Sequence, residues 1–188
     1  MKQLVLSVLF CFSFLTVSAG AWLQGKSKGY FKLNYSLMQA STYYNNEGVI
    51  SSTLNQSFNQ ASLYGEYGIT KKLDIIVTVP FYAKHEMLDL DISLESLGDI
   101  DIAFKIPINY IDKFKTSVSL KFGIPSGDNL GGEDFFLQTG DGEFNQELTL
   151  DFSRSFKNNL YSNIAIGFNQ RSKNYSDEIK LDLEVGIF

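Results

Sequence analysis

His85 is the single histidine of the chain, and it stands beside Glu86 ahead of a polar stretch. A hydrolase built on side chains needs a nucleophile, a base and a group that orients the base, all within hydrogen-bond reach. One histidine and one carboxylate supply at most the base, so no catalytic residue is assigned and the expectation is a protein that is not an enzyme. Asp128, Glu133, Asp134, Asp141 and Glu143 lie in and beside a glycine- and aspartate-rich stretch at 126–142. Their oxygens are of the kind calcium takes, but the spacing lacks the EF-hand order of ligands. Solvated loop acids are the simpler expectation, and neither a metal nor a cofactor is assigned. Gly98 with Asp99, and Gly140 with Gly142, lack the strand-loop-helix setting of a phosphate loop, so turn formation accounts for them.

A second set of charged residues is spread along the chain: Lys32, Glu66, Asp74, Asp99, Asp101, Lys105, Lys121, Glu147, Asp151 and Arg171. What they can do depends on the elements that carry them. The clearest of these is 97–127. Ile100, Ile102, Phe104, Ile106 and Ile108 alternate with Asp99, Asp101, Ala103, Lys105 and Pro107. After a short connection at 109–113 the alternation resumes, with Phe114, Thr116, Val118, Leu120, Phe122 and Ile124 against Lys115, Ser117, Ser119, Lys121 and Gly123. Period two is the mark of a strand with two unlike faces, so the stretch is a hairpin. Its strands match the roughly 9–11 residues that a tilted strand needs to cross hydrocarbon. A lysine facing lipid near the midplane costs about 2–4 kcal/mol, which sends the Ile and Phe face outward and Lys105 and Lys121 inward.

The same alternation recurs at 29–40, 57–69, 73–84, 143–156, 160–171 and 178–188, giving eight strands. Pro80, inside the third, marks a strand end, a bulge or a rim position. Short connections at 70–72, 109–113 and 157–159 alternate with long ones at 41–55, 85–96 and 126–142. All the long loops therefore gather at one end, as in outer-membrane barrels with short periplasmic turns and longer extracellular loops. Outward aromatics near strand ends, such as Phe31, Tyr67, Phe81, Phe114 and Phe122, fit interfacial girdles. The predicted fold is an all-β, antiparallel, up-and-down transmembrane β-barrel with all the charged residues named above on its inner face.

The N-terminus predicts export. Lys2 is followed by the apolar run 4–16, of signal-peptide length and too short to span. Small residues at Val17-Ser18-Ala19 and at Ala19-Gly20-Ala21 both suit a signal peptidase, and cleavage after Ala21 is preferred, leaving residues 22–188 as the barrel domain. Cys11, the only cysteine, leaves with the leader, so the mature chain has no thiol or disulfide chemistry. Removing Lys2 takes the formal charge from −5 to −6, with no basic run for nucleic acid.

Three segments in order, LGDIDIAFK at 97–105, KFGIPSGD at 121–128 and LQTGDGEFNQ at 137–146, resemble the Gram-negative outer-membrane barrel family labelled MetA-pathway of phenol degradation, also described as outer-membrane transporters. The likeness extends from about Trp22 to Phe188. It implies export, contact with outer-membrane lipid and passage of small apolar or aromatic molecules; it carries over no catalytic residue and names no protein partner. Such barrels continue past the point where this chain stops. Phe188 also falls on the polar side of its strand, with Lys180, Asp182 and Glu184, where a finished barrel places an aromatic outward. The expectation is a chain that ends early, with strand edges at 29–40 and 178–188 that must pair with each other or with another chain. Two functions stay open: a passive channel whose path the inner charges shape, and a closed structural or adhesion barrel acting through its loops. The charged set fits either, since eight strands leave an interior just wide enough for side chains.

Overall fold

Alternation of large apolar residues with small or charged ones produces one antiparallel sheet in the computed structural model, which describes residues 20–45, 47–52, 54–111, 113–130, 137–157, 159–173 and 175–187. The strands are β1 (Gly29–Ala40), β2 (Tyr43–Tyr44), β3 (Ile50–Ser52), β4 (Gln56–Thr70), β5 (Leu73–Met87), β6 (Ile92–Ser96), β7 (Ile100–Ile111), β8 (Phe114–Ile124), β9 (Asn145–Ser155), β10 (Leu160–Arg171) and β11 (Glu178–Ile187). Eight of them follow one another in the order β1-β4-β5-β7-β8-β9-β10-β11, each beside its sequence neighbour, and all pairs are antiparallel. This is the predicted up-and-down architecture, as a strongly curled half-barrel. Among the described residues the outer edges of β1 and β11 carry no further strand.

The eight expected strands are these eight, with bounds shifted by at most three residues among the described ones. Phe188 lies outside the described residues, as do residues 1–19. The loop expected at 85–96 is in part β-structure: β5 runs on to Met87 and β6 folds back on it, pairing Ala83 with Ser96 and Met87 with Ile92. Residues 41–55 likewise hold the small β2–β3 ribbon.

Pro80 explains why β5 has two different partners. Below it β5 pairs with β7, from Asp74 opposite Lys105 to Thr78 opposite Asp101; above it β5 pairs with β6. Against β4 the register jumps there, with Leu63 opposite Val79 but Ala61 opposite Tyr82. An extra residue in one strand is a bulge, the expected place for a residue with no N–H to give the ladder. Its carbonyl is used, accepting the Gly98 N–H at 2.9 Å. The bulge also reverses the alternation, so that Ala83 is fully buried where Val77 and Val79, at the same parity, are not.

Burial is inverted relative to a water-soluble domain. Among the described residues the buried apolar side chains are Ala21, Ala83, Ala103, Leu137 and Ala165, four of the five being alanines. The buried polar set is larger and includes Glu66, Asp74, Lys105, Ser117, Asp151, Ser153, Asn163 and Asn169. Phe31, Leu33, Tyr35, Ile179, Leu183 and Ile187 are all more than two-thirds exposed. The convex face is thus the apolar one. No helix among the described residues is long and apolar enough to cross a membrane.

The β1–β4 register sets Leu33 opposite Leu63. A Leu33→Cys, Leu63→Cys pair, in residues 20–188 that hold no other cysteine, is expected to close a disulfide under mild oxidation, because directly opposed residues lie within the span a disulfide needs. Faster closure by Leu33→Cys with Ala61→Cys, scored by non-reducing electrophoresis, would mean a register shifted by two.

Candidate functional site: a polar interior held by an N-terminal strap

The inner face is assembled from short side chains that leave room for a few long charged ones. Ala103, Ser117, Ser119, Thr149, Ser153 and Ala165 alternate with Lys105, Lys121, Glu147, Asp151 and Asn163 on strands β7 to β10. All of these but Ser117 and Ser153 bound a cavity of about 460 Å³ whose lining also takes in Tyr30, Tyr64, Glu66, Asp101 and Asp182. Residues of β1 and β11, the two edges of the sheet, therefore face the same space.

Glu66 and Lys105 form an ion pair at 2.5 Å with both side chains almost fully buried. Tyr64 donates its hydroxyl to Glu66 at 3.2 Å and its ring packs on Tyr30, with centroids 5.6 Å apart. On the far side of the cavity Ser153 donates to Asn163 Oδ1 at 2.6 Å, and Asn163 and Ser119 reach the two oxygens of Asp151 at 3.4 and 3.5 Å. Higher up, Glu147 Oε2 lies 2.8 Å from both Lys121 and Lys180.

The two sides are joined by a segment that is in no strand. Residues 20–25 run along the interior, and Lys26, Ser27 and Lys28 emerge from it before β1 begins. Lys105 Nζ donates to the Gly20 carbonyl at 3.3 Å, Ala21 donates its N–H to Ser153 Oγ at 2.7 Å, and Gln24 donates its N–H to Asp74 Oδ2 at 2.7 Å. Trp22 meets Tyr161 edge-on at 6.0 Å between centroids. The segment leaves near the β4–β5 turn, where the Ser27 N–H donates to the Gly68 carbonyl at 2.7 Å and the Gly68 N–H to the Lys28 carbonyl at 2.8 Å. Two glycines make this course possible. A Cβ on Gly68 would fall 1.9 Å from the Gly25 carbonyl oxygen, and one on Gly20, whose φ is +82°, would fall 2.4 Å from Ser153 Oγ.

At the other end of the sheet the long connection between β8 and β9 folds onto the mouth. Asp99 accepts the Gly127 N–H at 2.8 Å and the Asp141 N–H at 2.9 Å. Its partial burial, opposed by those two donors, moves its carboxyl above the usual range. Arg171 is the hub of the mouth: its guanidinium bonds Glu143, reaches Glu178 at 3.1 Å and Asp141 at 3.8 Å, and lies over the Tyr175 ring at 4.7 Å. Glu143 is therefore not a solvated loop acid. It is buried beneath Arg171, and burial raises its carboxyl despite the guanidinium. Asn55 clasps Asp89 through its backbone N–H at 2.7 Å and its side-chain amide at 2.9 Å, which lowers the Asp89 carboxyl and ties the start of β4 to the β5–β6 turn.

Of the residues expected to line the interior, Glu66, Asp101, Lys105, Lys121, Glu147 and Asp151 do share the one cavity. Asp99, with Asp101, Lys121 and Glu147, borders a smaller space of about 220 Å³ above it. Asp74 is buried but holds the strap, Arg171 sits at the mouth, and Lys32 is exposed on the open edge strand, opposite Tyr64. The expectation missed Gly20, Tyr30, Tyr64 and Asn163. The two tyrosines were legible as inner-face members of β1 and β4, while Gly20 was counted with the leader.

His85 lies 3.2 Å from the Gln56 side-chain oxygen and from the Gln138 carbonyl, and its ring meets Phe58 edge-on. Its neighbours are amides and an aromatic ring, and Glu86 turns to Lys84 at 2.7 Å. The histidine thus fastens the 137–144 segment to β5. No group of three or more histidine, cysteine or carboxylate side chains suited to a metal ion occurs among the described residues; Glu133 and Asp134 lie outside them. No protein-family model matches the chain, and no curated protein matches it.

Breaking a buried pair by removing one partner typically costs about 3–5 kcal/mol, whereas removing both is far milder. Lys105→Met is expected to lower stability by about that amount in urea titration of the refolded protein, and Lys105→Met with Glu66→Gln to recover most of it. Equal losses for the single and double variants would mean that the two charges are not coupled.

Proposed function

We propose that the protein is an outer-membrane β-barrel acting as a passive channel for small molecules, with no covalent chemistry. The observation that carries this is the inversion of burial: an apolar convex face around an interior of carboxylates, lysines, amides and hydroxyls. In water such an outer face is a large exposed apolar patch; in hydrocarbon it is the solvated surface. The length of the strands, the gathering of long loops at one end and the resemblance to outer-membrane barrels support the same setting. A cavity of about 460 Å³ is large enough for a small solute, and the adjoining Tyr30 and Tyr64 rings give an aromatic one a surface beside the charges.

A second function is favoured by one specific feature. The strap and the network from Glu66 to Asp151 cross the interior, as expected of a closed barrel whose loops do the work. The mouth is also well fastened, through Arg171, Asp99 and His85.

Two measurements separate these. With the protein in lipid vesicles, a lipid-phase quencher should reach a fluorophore at Leu120 and spare one at Lys121; the opposite pattern would overturn the outward face and with it the membrane setting. Swelling of proteoliposomes in a series of small solutes, aromatic ones included, should exceed that of protein-free vesicles. Absence of swelling for every solute, together with partner binding that is lost on deleting 126–142, would favour the closed barrel.

A further inference from the structure

We infer that the leader is cut after Ala19 rather than after Ala21, and that the new α-ammonium of Gly20 is seated in the acidic interior as a built-in counter-ion. This rests on the exported-barrel proposal above and adds to it the identity of the group that completes the cavity.

Both candidate sites present small residues to a signal peptidase, so sequence alone leaves the choice to preference. The packing decides otherwise. Ala21 is 2% exposed, and its N–H is the donor to Ser153. The Gly20 carbonyl is an acceptor for Lys105, a cation buried in the interior. A Cβ on Gly20 would clash with the Ser153 and Asn163 side chains, so a larger residue would force both aside. A cut after Ala21 would discard all of these contacts and leave Ser153 and Lys105 each with one partner fewer in a buried place.

Charge points the same way. Five carboxylates and two lysines line the cavity, a formal balance of −3. Glu66 and Glu147 are paired, while Asp101, Asp151 and Asp182 make no ion pair among the described residues. Gly20 lies in the same lining, against the Asn163 side chain that bonds Asp151. Hydrolysis breaks the Ala19–Gly20 C–N bond: the oxygen of water goes to the Ala19 carboxyl, and the amine leaves with a proton to become an ammonium. One amide N–H is replaced by three charged donors, and the cavity balance moves to −2. The processed terminus is thereby also the plug of the barrel.

Intact mass and N-terminal sequencing of the full-length product purified from outer membranes should give a chain beginning at Gly20. A chain beginning at Trp22 overturns the inference and leaves export standing; one beginning at Met1 overturns export as well. Processing precedes folding, so Ala21→Leu tests the cut independently of packing. Its precursor should be converted as fast as the native one, and an accumulating precursor would place the cut at Ala21. For the seat, a water-soluble acylating reagent near neutral pH, where an α-amine reacts ahead of lysines, should label Gly20 only after denaturation. Equal labelling of the folded and denatured protein would remove the ammonium from the interior.

Discussion

The Glu66–Lys105 pair is the constraint on which the rest of the arrangement depends. Two charges, both close to fully buried, cannot sit on adjacent strands of a flat sheet facing solvent; they need a concave surface that brings β4 and β7 toward each other across β5. The desolvation of each ion is of the order of several kcal/mol, so neither is tolerable alone. The sheet must curl until they meet. On β5, which lies between, Ile76 stands opposite Glu66 and Asp74 opposite Lys105. Once the curl is set, the opposite parity of every strand faces outward, and the ordering of faces follows with no further choice.

An outward apolar face on eight strands is unfavourable in water and suits the hydrocarbon setting proposed above. Among the strands the edges β1 and β11 show the largest exposures of apolar side chains, with Ile179 at 84% and Leu33 at 71%, and they also carry unpaired backbone. In hydrocarbon each unsatisfied backbone group costs several kcal/mol, so edge and membrane are compatible only when the edges are paired. Their directions allow it. Eight antiparallel strands in series leave β1 and β11 running opposite ways, the relation that antiparallel pairing with each other or with another chain requires. Tyr30 and Asp182, one from each edge strand, already face the same cavity.

The strands and their faces were legible because period two runs through most of each one, and away from the bulge at Pro80 a side chain's parity decides which side it meets. Lys105, Lys121 and Asp151 are on the inner side because the opposite parity of their strands carries the large apolar residues of the convex face. Three features were not legible in the same way. Strand β6 sits where a long polar connection was expected, since Ile92, Leu94 and Glu95 make too short a run to stand out until the bulge at Pro80 frees β5 from β7. Glu143 looks like any other acid in a glycine-rich loop, and only the arrival of Arg171 from β10 makes its burial tolerable. The strap has no periodicity at all. Its signal was the glycine spacing at Gly20, Gly25 and Gly29, which makes sense only once Gly68 is known to lie beneath it.

The strap matters most because it changes what the interior is. Without residues 20–24 the inner face divides into a β4–β7 side, ending at Lys105, and a β9–β10 side, ending at Ser153 and Asn163, with Asp74 left unengaged near the β4–β5 turn. With them, hydrogen bonds run from Tyr64 through Glu66, Lys105 and the strap to Ser153, Asn163 and Asp151. A network of this kind is robust when every member is satisfied and costly when one is withdrawn. Any solute crossing the barrel therefore has to pass the strap or displace it. Displacement is the harder course, because it leaves a buried lysine and a buried serine each with one partner fewer. Passage along the Tyr30 and Asp182 side leaves the network intact. The cavity bordered by the two edge strands is where a path fits this interior best, and the chemistry of that side, two tyrosine rings beside carboxylates, is what a passing solute would meet.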